Sequence, residues 1–375
     1  MEFTRATRRH FMQLLAASWA TFLTGCEIED ITRLVDDART EARIGVIANT
    51  EVAWMSGMKM TEKAFRYYRQ HDVDAVVIAG GATKNGKKNQ FEDLQQVWQK
   101  VFGATSKVRL ILDEGQYEIN GFTFAAMHKI PREVCPVLTF HGEGKGPLTD
   151  EMAFFDPAYN IVYAGSMNAI TVPEGYSWNG RPSSRSQLVQ CAQGLLVNVY
   201  AGKVIIRRLD FIPSVPVEGV LKRGEIYAED VAPELTLDRN KPFKRETPHA
   251  PEFWADTTVQ VLPGYEGDKR IFTVKWPCVL KRFTGTRAFS YEVSLSLLKP
   301  GAEKPSRPFR RRNVLSEFYL QSEQREVQPV KSVFKQSDLE QAIQAGAEVI
   351  VSITPIGAFG DRGMAIVSTP FNPAR

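Results

Sequence analysis

Residues 42–102 constrain the fold of this chain most strongly, because two kinds of hydrophobic pattern alternate there over a short distance. A continuous apolar run at residues 44–48 precedes a segment with helical spacing, and a second run at residues 75–79 precedes another. Short apolar strands that alternate with amphipathic helices are typical of parallel sheets buried on both faces. We therefore predict an α/β unit with one helix capped at Thr61 and a second over residues 92–102.

The same unit is predicted to continue to about residue 212. Apolar runs at residues 108–112 and 135–141 indicate two further strands, and shorter strands follow Asp150. The clearest hairpin signal is GLLVNVYAGKVIIRRLDF, with Ala201-Gly202 at its turn.

The order of elements in this unit matches a known pattern, whereas the residues at its strand ends do not. The order strand, loop, helix, strand, glycine turn, helix resembles the opening of a calcineurin-like metallophosphoesterase, in which the first strand ends in D-x-H and the second in G-D. Here those positions read Asn49-Thr50-Glu51 and Gly80-Gly81. The resemblance covers roughly residues 40–212, and it implies a four-layer α/β/β/α sandwich for that domain.

The resembling family uses two divalent metals, about 3.5–4 Å apart, to turn a bridging water into a nucleophile. By that resemblance, Asn49 stands for the first Asp ligand, Glu51 for the His and Gly81 for the bridging Asp. The positions that correspond to the later G-N-H-[DE] and G-H-x-H motifs are Asp113, Glu114, Gly115, Gln116, Glu143 and Lys145. A protonated Lys has no lone pair to offer and repels a nearby cation, so we predict that this constellation holds no metal.

Two other uses of these positions remain open. His128 and His141 could join Asn49, Glu51 and Glu143 in a rebuilt site for Mg²⁺, Ca²⁺ or Mn²⁺, although both histidines also suit ordinary backbone hydrogen bonding.

Alternatively, Lys145 and the amides of the Gly80-Gly81 turn could hold a phosphate or carboxylate. Glu143 lies two residues from Lys145, and an ion pair between them would instead leave a self-neutralised pocket.

The N-terminal residues 1–25 are predicted to be a targeting signal rather than part of the fold. Thr7-Arg8-Arg9-His10-Phe11-Met12 resembles a twin-arginine export signal, and an apolar run follows it. Leu23-Thr24-Gly25-Cys26 resembles a lipobox, which implies a lipid on Cys26 and a membrane-anchored protein in the periplasm or at the cell surface. The alternative is ordinary cleavage after Ala20.

Length and charge narrow the classes further. A chain of 375 residues exceeds the usual size of one core, so two domains are expected. The net charge of +4 gives no electrostatic case for nucleic-acid binding. The run Arg310-Arg311-Arg312 lacks interleaved aromatics, and we interpret it as a solvated loop. Besides Cys26 the chain has Cys135, Cys191 and Cys278, whose spacing matches no zinc pattern; a Cys135–Cys191 disulfide is conceivable but not indicated.

After residue 212 the pattern changes twice. Prolines punctuate residues 213–252, which we predict to be a linker that wraps one domain's surface. Residues 253–375 carry strand patterns at intervals typical of an all-β sandwich of fibronectin or immunoglobulin type, with a short helical turn over residues 337–345.

Three functions compete on this basis. The first, which we favour, is a membrane-tethered pseudoenzyme that keeps the phosphoesterase shape as a binding or scaffold module for an unknown partner. The second is an active, metal-dependent phosphoesterase with a rebuilt site. The third is a surface protein whose β-sandwich binds a polysaccharide or a protein.

Overall fold

The structure is a computed structural model, and it combines mixed sheets with few helices in an α/β fold. It describes residues 40–50, 55–83, 86–112, 115–127, 138–142, 148, 154–156, 161–172, 174–178, 180–182, 187–216, 220–231, 234–239, 249–279, 287–316, 329–358 and 360–374. The predicted signal and lipobox, residues 1–26, lie outside these ranges. In the part that is described, no helix is long and apolar enough to cross a bilayer.

The first part of the chain contains two described helices and most of the short strands. The helices are α1 (Met55–Gln70) and α2 (Lys88–Phe102). The strands are β1 (Ala42–Ile47), β2 (Ala75–Ile78), β3 (Arg109–Ile111), β4 (Gly115–Ile119), β5 (Phe122–Met127), β6 (Leu138–His141), β7 (Phe154–Asp156), β8 (Ile161–Tyr163), β9 (Ala169–Val172), β10 (Tyr176–Trp178), β11 (Arg181–Pro182), β12 (Gln187–Gln190), β13 (Gln193–Val199), β14 (Lys203–Asp210), β15 (Glu229–Asp230) and β16 (Leu235–Asp238).

The second part is mostly β-structure. Its strands are β17 (Gln260–Glu266), β18 (Lys269–Trp276), β19 (Ser290–Leu298), β20 (Arg310–Leu315), β21 (Val330–Lys335), β22 (Glu348–Ile356) and β23 (Ile366–Val367). The predicted helical turn is present as a 3₁₀ turn, Gln336–Leu339, that leads into α3 (Glu340–Gln344).

The first sheet has the order β15-β14-β13-β1-β2-β3, and β16 also pairs with β14. As predicted, β1, β2 and β3 are parallel neighbours. The β13–β14 hairpin is also confirmed: Val199 pairs with Val204, and the amide of Tyr200 donates to the carbonyl of Lys203 at 2.8 Å. A second sheet has the order β4-β5-β6-β8-β7.

The first sheet is buried on both faces. Ile47, Val76 and Leu196 on one face share a core with Phe65 of α1 and Leu94 of α2. The opposite face shares a core with the second sheet, through residues that include Ile44, Val77, Leu195, Phe124 and Phe140. Both helices pack on the face of the first sheet that carries Ile47, and the second sheet packs on the opposite face. In the described residues, the layers are therefore helices, first sheet and second sheet, which are three of the four layers expected.

Helix α1 begins at Met55, so the prediction that Thr61 caps it is wrong. Thr61 is buried inside the helix, and its hydroxyl makes no hydrogen bond within the described residues. Packing against the sheet extends the helix beyond the residue that local capping preference favours. Tyr68 of this helix lies over Gly45, where a Cβ would come within 2.5 Å of the ring, and its hydroxyl donates to the carbonyl of Val46 at 2.9 Å.

Two short segments depart from the predicted domain boundaries. Within the expected linker, β15 and β16 pair with β14, so Glu229–Asp230 and Leu235–Asp238 extend the first sheet. Conversely, β10 pairs in parallel with β20, and β11 pairs with β10. Strands of two to four residues are too short to show a period in sequence, and they are held by the ladders that they join.

The second part has two sheets that share one core. Their orders are β11-β10-β20-β19-β22-β23 and β17-β18-β21. Phe272 and Trp276 of the smaller sheet share this core with Tyr291 and Val351 of the larger one.

The interpretation of Arg310-Arg311-Arg312 as a solvated loop is wrong, because these residues begin β20. Arg310 and Arg311 are exposed, whereas Arg312 is buried. Its guanidinium lies 4.1 Å from the ring centroid of Phe334 and donates to the carbonyl of Val333. A strand places Arg310 and Arg312 on one face, where both reach Asp338, and Arg311 on the other. Of the two that share a face, only Arg312 is covered by Phe334.

One prediction arises at the end of α1, where His71 stacks on Tyr67 with ring centroids 4.0 Å apart. Burial lowers the pKa of His71 from its ordinary value of 6.5. The hydrogen bond with the Tyr67 carbonyl and the negative charge of Glu225 oppose this shift. The positive charges of Arg207 and Arg43 add to it. A lowered pKa means that the folded state binds the proton less well than the unfolded chain does.

Stability from this group is therefore complete above pH 6.5 and is lost as the pH falls below it. We expect urea denaturation between pH 7.5 and 5.5 to show a steeper loss of stability in the native chain than in His71→Asn. Parallel losses in both proteins would contradict the assignment.

Candidate functional site

The candidate site is the place where β1, β2 and β6 end. We call it the strand-end junction and define it by Asn49, Gly81, His141 and Gly142. The strands that lead to it are parallel neighbours in their own sheets: β1 with β2, and β6 with β5 and β8. Carboxyl ends of parallel strands meet at one edge, which is where α/β folds usually place their ligands.

Asn49 holds the junction together. Its backbone is left-handed, with φ of +49°, a conformation that Asn adopts more readily than most residues. The backbone amide donates to the carbonyl of Gly80 at 3.1 Å, and the side-chain Nδ2 donates to the carbonyl of Gly142 at 2.9 Å. One residue therefore ties the ends of β1, β2 and β6, which makes it a structural clamp.

Gly81 has no room for a carboxylate. A Cβ at this position would lie 2.6 Å from Oδ1 of Asn49 and 2.9 Å from its Cα, and the φ of Gly81 is +58°. Both the contact and the backbone conformation favour glycine. Any side chain at position 81 would therefore meet Asn49.

Gly142 is packed against backbone. A Cβ there would lie 1.1 Å from the carbonyl oxygen of Ala79 and 3.2 Å from the Cβ of Ala48. The chain after β6 therefore lies directly on the chain after β2, with no gap for a side chain or an ion at that point.

The other predicted positions that the structure describes are spread around the junction. His141 is the buried last residue of β6, its backbone carbonyl accepts from the amide of Ala164 at 2.9 Å, and its ring lies 6.3 Å from that of Tyr163. Gly115 and Gln116 begin β4, two strands from β6 in the second sheet, which is about 10 Å away. They are strand residues rather than members of the junction.

Six predicted site residues, together with Cys26, fall outside the part of the chain that the structure describes. They are Glu51, Asp113, Glu114, His128, Glu143 and Lys145. The rebuilt metal site and the anion site both depend on them, so these two hypotheses stay predictions. Cys135 also lies outside, whereas Cys191 is buried, and its thiol donates to the carbonyl of Ser166 at 3.0 Å.

The junction residues do not fit a pair of divalent metals. Asn49 uses its amide nitrogen to hold Gly142, and neither Gly81 nor Gly142 has a side chain or space for one. His141 is the one junction residue with an imidazole, and the junction has no carboxylate among its four residues. Two cations close together require several carboxylates to offset their repulsion. Of the residues that the structure describes, no three histidines, cysteines or acids lie together as a metal group would require.

A row of buried polar residues beside the junction was missed by the sequence reasoning. Gln193, Asp210 and Glu229 stand opposite one another across β13, β14 and β15, and Arg208 is fully buried on the same strand as Asp210. Opposite residues of antiparallel strands share a face, so the three side chains of this row lie on one side of the sheet. The R-x-D pattern at residues 208–210 is the sequence signal for part of this row, whereas Glu229 lies in the segment that the prolines predict to be a linker.

Lys63 fastens the end of this row to α1. Its ammonium donates to the carbonyls of Phe211 at 2.5 Å and Pro213 at 2.6 Å. Burial lowers the pKa of Lys63, and the charge of Asp210 opposes that shift. The interaction is structural, since both acceptors are backbone groups.

Comparisons with known proteins give a distant likeness of fold only. No protein-family model and no curated protein matches the chain. Among solved structures it is similar to Vps29, a protein of the calcineurin-like metallophosphoesterase fold, in the form of a single mutant from Entamoeba histolytica (11% identity, TM-score 0.30, 52% of this chain and 99% of that one). Wild-type Vps29 of that organism complexed with Zn²⁺ (11%, 0.28, 53% and 99%) and Vps29 of Chaetomium thermophilum (9%, 0.30, 53% and 99%) are similar to the same degree.

Proposed function

We propose that the α/β part of this protein is a metallophosphoesterase-like domain without phosphoesterase activity, which serves as a binding or scaffold module. The observation that carries the proposal is the packing of the strand-end junction. A Cβ at position 81 would lie 2.6 Å from Oδ1 of Asn49, and a Cβ at position 142 would lie 1.1 Å from the carbonyl oxygen of Ala79.

The loss of a metal-ligating side chain is easier to reverse when it leaves open space than when neighbouring residues pack into that space. A vacated ligand position with open space is refilled by a single substitution or a water. At this junction, restoring the bridging acid requires that Asn49 move and that its hydrogen bond to Gly142 break. The packing therefore supports a domain whose strand ends are organised for stability.

The proposal extends to the location of the protein. A lipid on Cys26, after export by the twin-arginine route, would tether the domains to a membrane in the periplasm or at the cell surface. Acyl chains supply the affinity in such an anchor, so the domains remain available to a partner. Mass spectrometry of the mature N-terminus tests this: a diacylated Cys26 supports it, and an unmodified N-terminus at Thr21, from cleavage after Ala20, contradicts it.

The enzymatic part of the proposal predicts substoichiometric metal and no turnover. We would purify the chain without chelators, measure Mg, Ca, Mn, Fe and Zn by elemental mass spectrometry, and assay bis(p-nitrophenyl) phosphate with each metal added. Less than about one metal in ten chains, with hydrolysis at the level of buffer, is the expected result, because the junction offers too few ligands.

The rival hypothesis makes the opposite prediction through specific residues. A rebuilt site would show bound metal and turnover, and Glu51→Ala and Glu143→Ala would abolish both. Gln116→Ala is a matched control, because this exposed strand residue lies at a motif position but outside the junction. Turnover that survives Gln116→Ala and is lost in the two glutamate variants would overturn the proposal.

A further inference from the structure

A cavity of about 370 Å³ opens beside the smaller sheet of the second part. It is lined by Trp254, Asp256, Thr257, Thr258, Gln260, Lys275, Trp276, Pro277 and Pro329. Pockets for small ligands usually measure about 300–1,000 Å³ and combine apolar walls with a few polar groups. This cavity has both features, and it lies far along the chain from the strand-end junction.

Two tryptophans that differ in burial are among the residues that line the cavity. Trp276 ends β18 and is only 1% exposed, with its ring centroid 5.5 Å from that of Tyr291 in the core. Its buried indole N–H has no hydrogen-bond partner among the described residues. Trp254 is 59% exposed, which is unusual for so large an apolar ring on a protein surface. The cavity therefore has one indole fixed in the core and one open to solvent.

The polar groups of the cavity offer both hydrogen-bond donors and acceptors. Gln260 and Lys275 stand opposite one another on β17 and β18, so their side chains lie on the same face. Lys275 forms no ion pair with any residue that the structure describes, and Asp256 is exposed just before β17. An amide, an ammonium and a carboxylate thus line the same cavity as Trp254.

We propose that this cavity binds a saccharide. A sugar ring has an apolar C–H face, which would stack on Trp254, and hydroxyl groups at its edge, each of which donates and accepts. Asp256 would accept from one hydroxyl, Lys275 would donate to another, and Gln260 would do either.

The polar groups distinguish a saccharide from other ligands of similar size. A proline-rich peptide offers carbonyl acceptors and few N–H donors, so it would make few hydrogen bonds to the carboxylate of Asp256. A phosphate would be repelled by the same carboxylate, and a purely apolar ligand would bury Lys275 unsatisfied. A polyhydroxyl ligand matches all three groups together.

The test uses the full chain on an array of immobilised neutral α- and β-linked glycans, followed by calorimetric titration with the soluble oligosaccharide of the retained type. We expect saturable binding that is weakened at least about tenfold in Trp254→Ala and in Asp256→Ala, because each removes one element of recognition. Thermal unfolding should stay unchanged in Trp254→Ala, since that ring is largely exposed.

Tyr265→Ala is the matched control. Tyr265 is an aromatic residue on β17 that is 74% exposed, and it does not line the cavity. Equal loss of binding in Trp254→Ala and Tyr265→Ala would overturn the proposal, and so would retention of no glycan at all. Binding of decaproline that Trp254→Ala abolishes would assign the cavity to a peptide and overturn it too. None of these outcomes depends on whether the α/β part is an enzyme.

Discussion

Gly142→Ala is expected to destabilise the α/β part by about 3 kcal/mol or more. Overpacking a core typically costs about 1–3 kcal/mol, and this contact is closer than usual. The added methyl would lie 1.1 Å from the carbonyl oxygen of Ala79, and that oxygen belongs to the backbone. A flexible side chain could rotate away from such a contact, whereas backbone can yield only if the strand end moves. We would measure the free energy of unfolding in urea by circular dichroism.

The expected damage reaches beyond the substituted residue. Movement of the chain at Gly142 would break the hydrogen bond from the side chain of Asn49. The backbone amide of the same residue joins the ends of β1 and β2 through the carbonyl of Gly80. Asn49→Gly removes the same side-chain bond without adding a clash, and glycine adopts the φ of +49° without strain, so this variant should cost less, about 1–3 kcal/mol for the lost bond. The difference between the two variants reports the steric contribution at Gly142.

Gly264→Ala serves as the control for glycine substitution in general. Its added methyl would meet only the side chain of Ile271, at 3.8 Å, and its φ lies outside the left-handed region. We expect no loss of stability, and a gain of up to about 1 kcal/mol from the stiffer unfolded chain. A Gly142→Ala protein as stable as Gly264→Ala would mean that the strand ends are open at the junction, and the rival metal site would regain its space.

The sequence predicted those parts of the fold that local pattern specifies. Residues 44–48 and 75–79 are apolar throughout because the first sheet is covered on both faces, and the parallel pairing of β1 with β2 followed from the helix between them. Ala201-Gly202 marked the turn of the β13–β14 hairpin correctly because turn geometry selects its residues.

The misses share one physical cause, which is that long-range pairing leaves little local trace. Strands β10 and β15 have three and two residues, and each exists because a longer strand offers it hydrogen bonds. Arg312 looked solvated because a run of three arginines usually is, and only the cross-strand partners of β20 reveal that it is buried.

The candidate site was predictable in position but not in packing. Asn49 and Gly81 could be placed together from the rule that parallel strands end at one edge. That Asn49 fills the space over Gly81 depends on a left-handed φ and on contacts of 2.6–2.9 Å, which no residue pattern encodes. The residue pattern predicts that Gly81 supplies no ligand, and the geometry adds that a side chain there would meet Asn49.

Asp338→Ala is expected to cost the second part about 2–4 kcal/mol, because it leaves a buried guanidinium without its counter-charge. Asp338 accepts from Nη2 of Arg312 at 3.3 Å, from Nη2 of Arg310 at 2.9 Å and from the amide of Lys335 at 3.0 Å. Burial lowers the pKa of Arg312, and Asp338 is the charge that opposes this. The contacts of Arg312 with Phe334 and the Val333 carbonyl remain, so the loss falls short of the full cost of an isolated charge.

Removal of the charge on Arg312 shows whether Asp338→Ala acts through an unpaired guanidinium or through the loss of a cap on the 3₁₀ turn. If the unpaired charge of Arg312 causes the loss of stability, then Arg312→Leu in the Asp338→Ala background should recover part of it. If the loss comes instead from the missing hydrogen bond between Asp338 and the amide of Lys335 at the start of the 3₁₀ turn, the double variant should be no more stable than Asp338→Ala. Arg362→Ala is the control, since its 2.8 Å ion pair with Glu292 is exposed and should contribute less than about 1 kcal/mol. Equal effects of Asp338→Ala and Arg362→Ala in urea denaturation would show that the Arg312 guanidinium is solvated after all, as an arginine run in a loop would be.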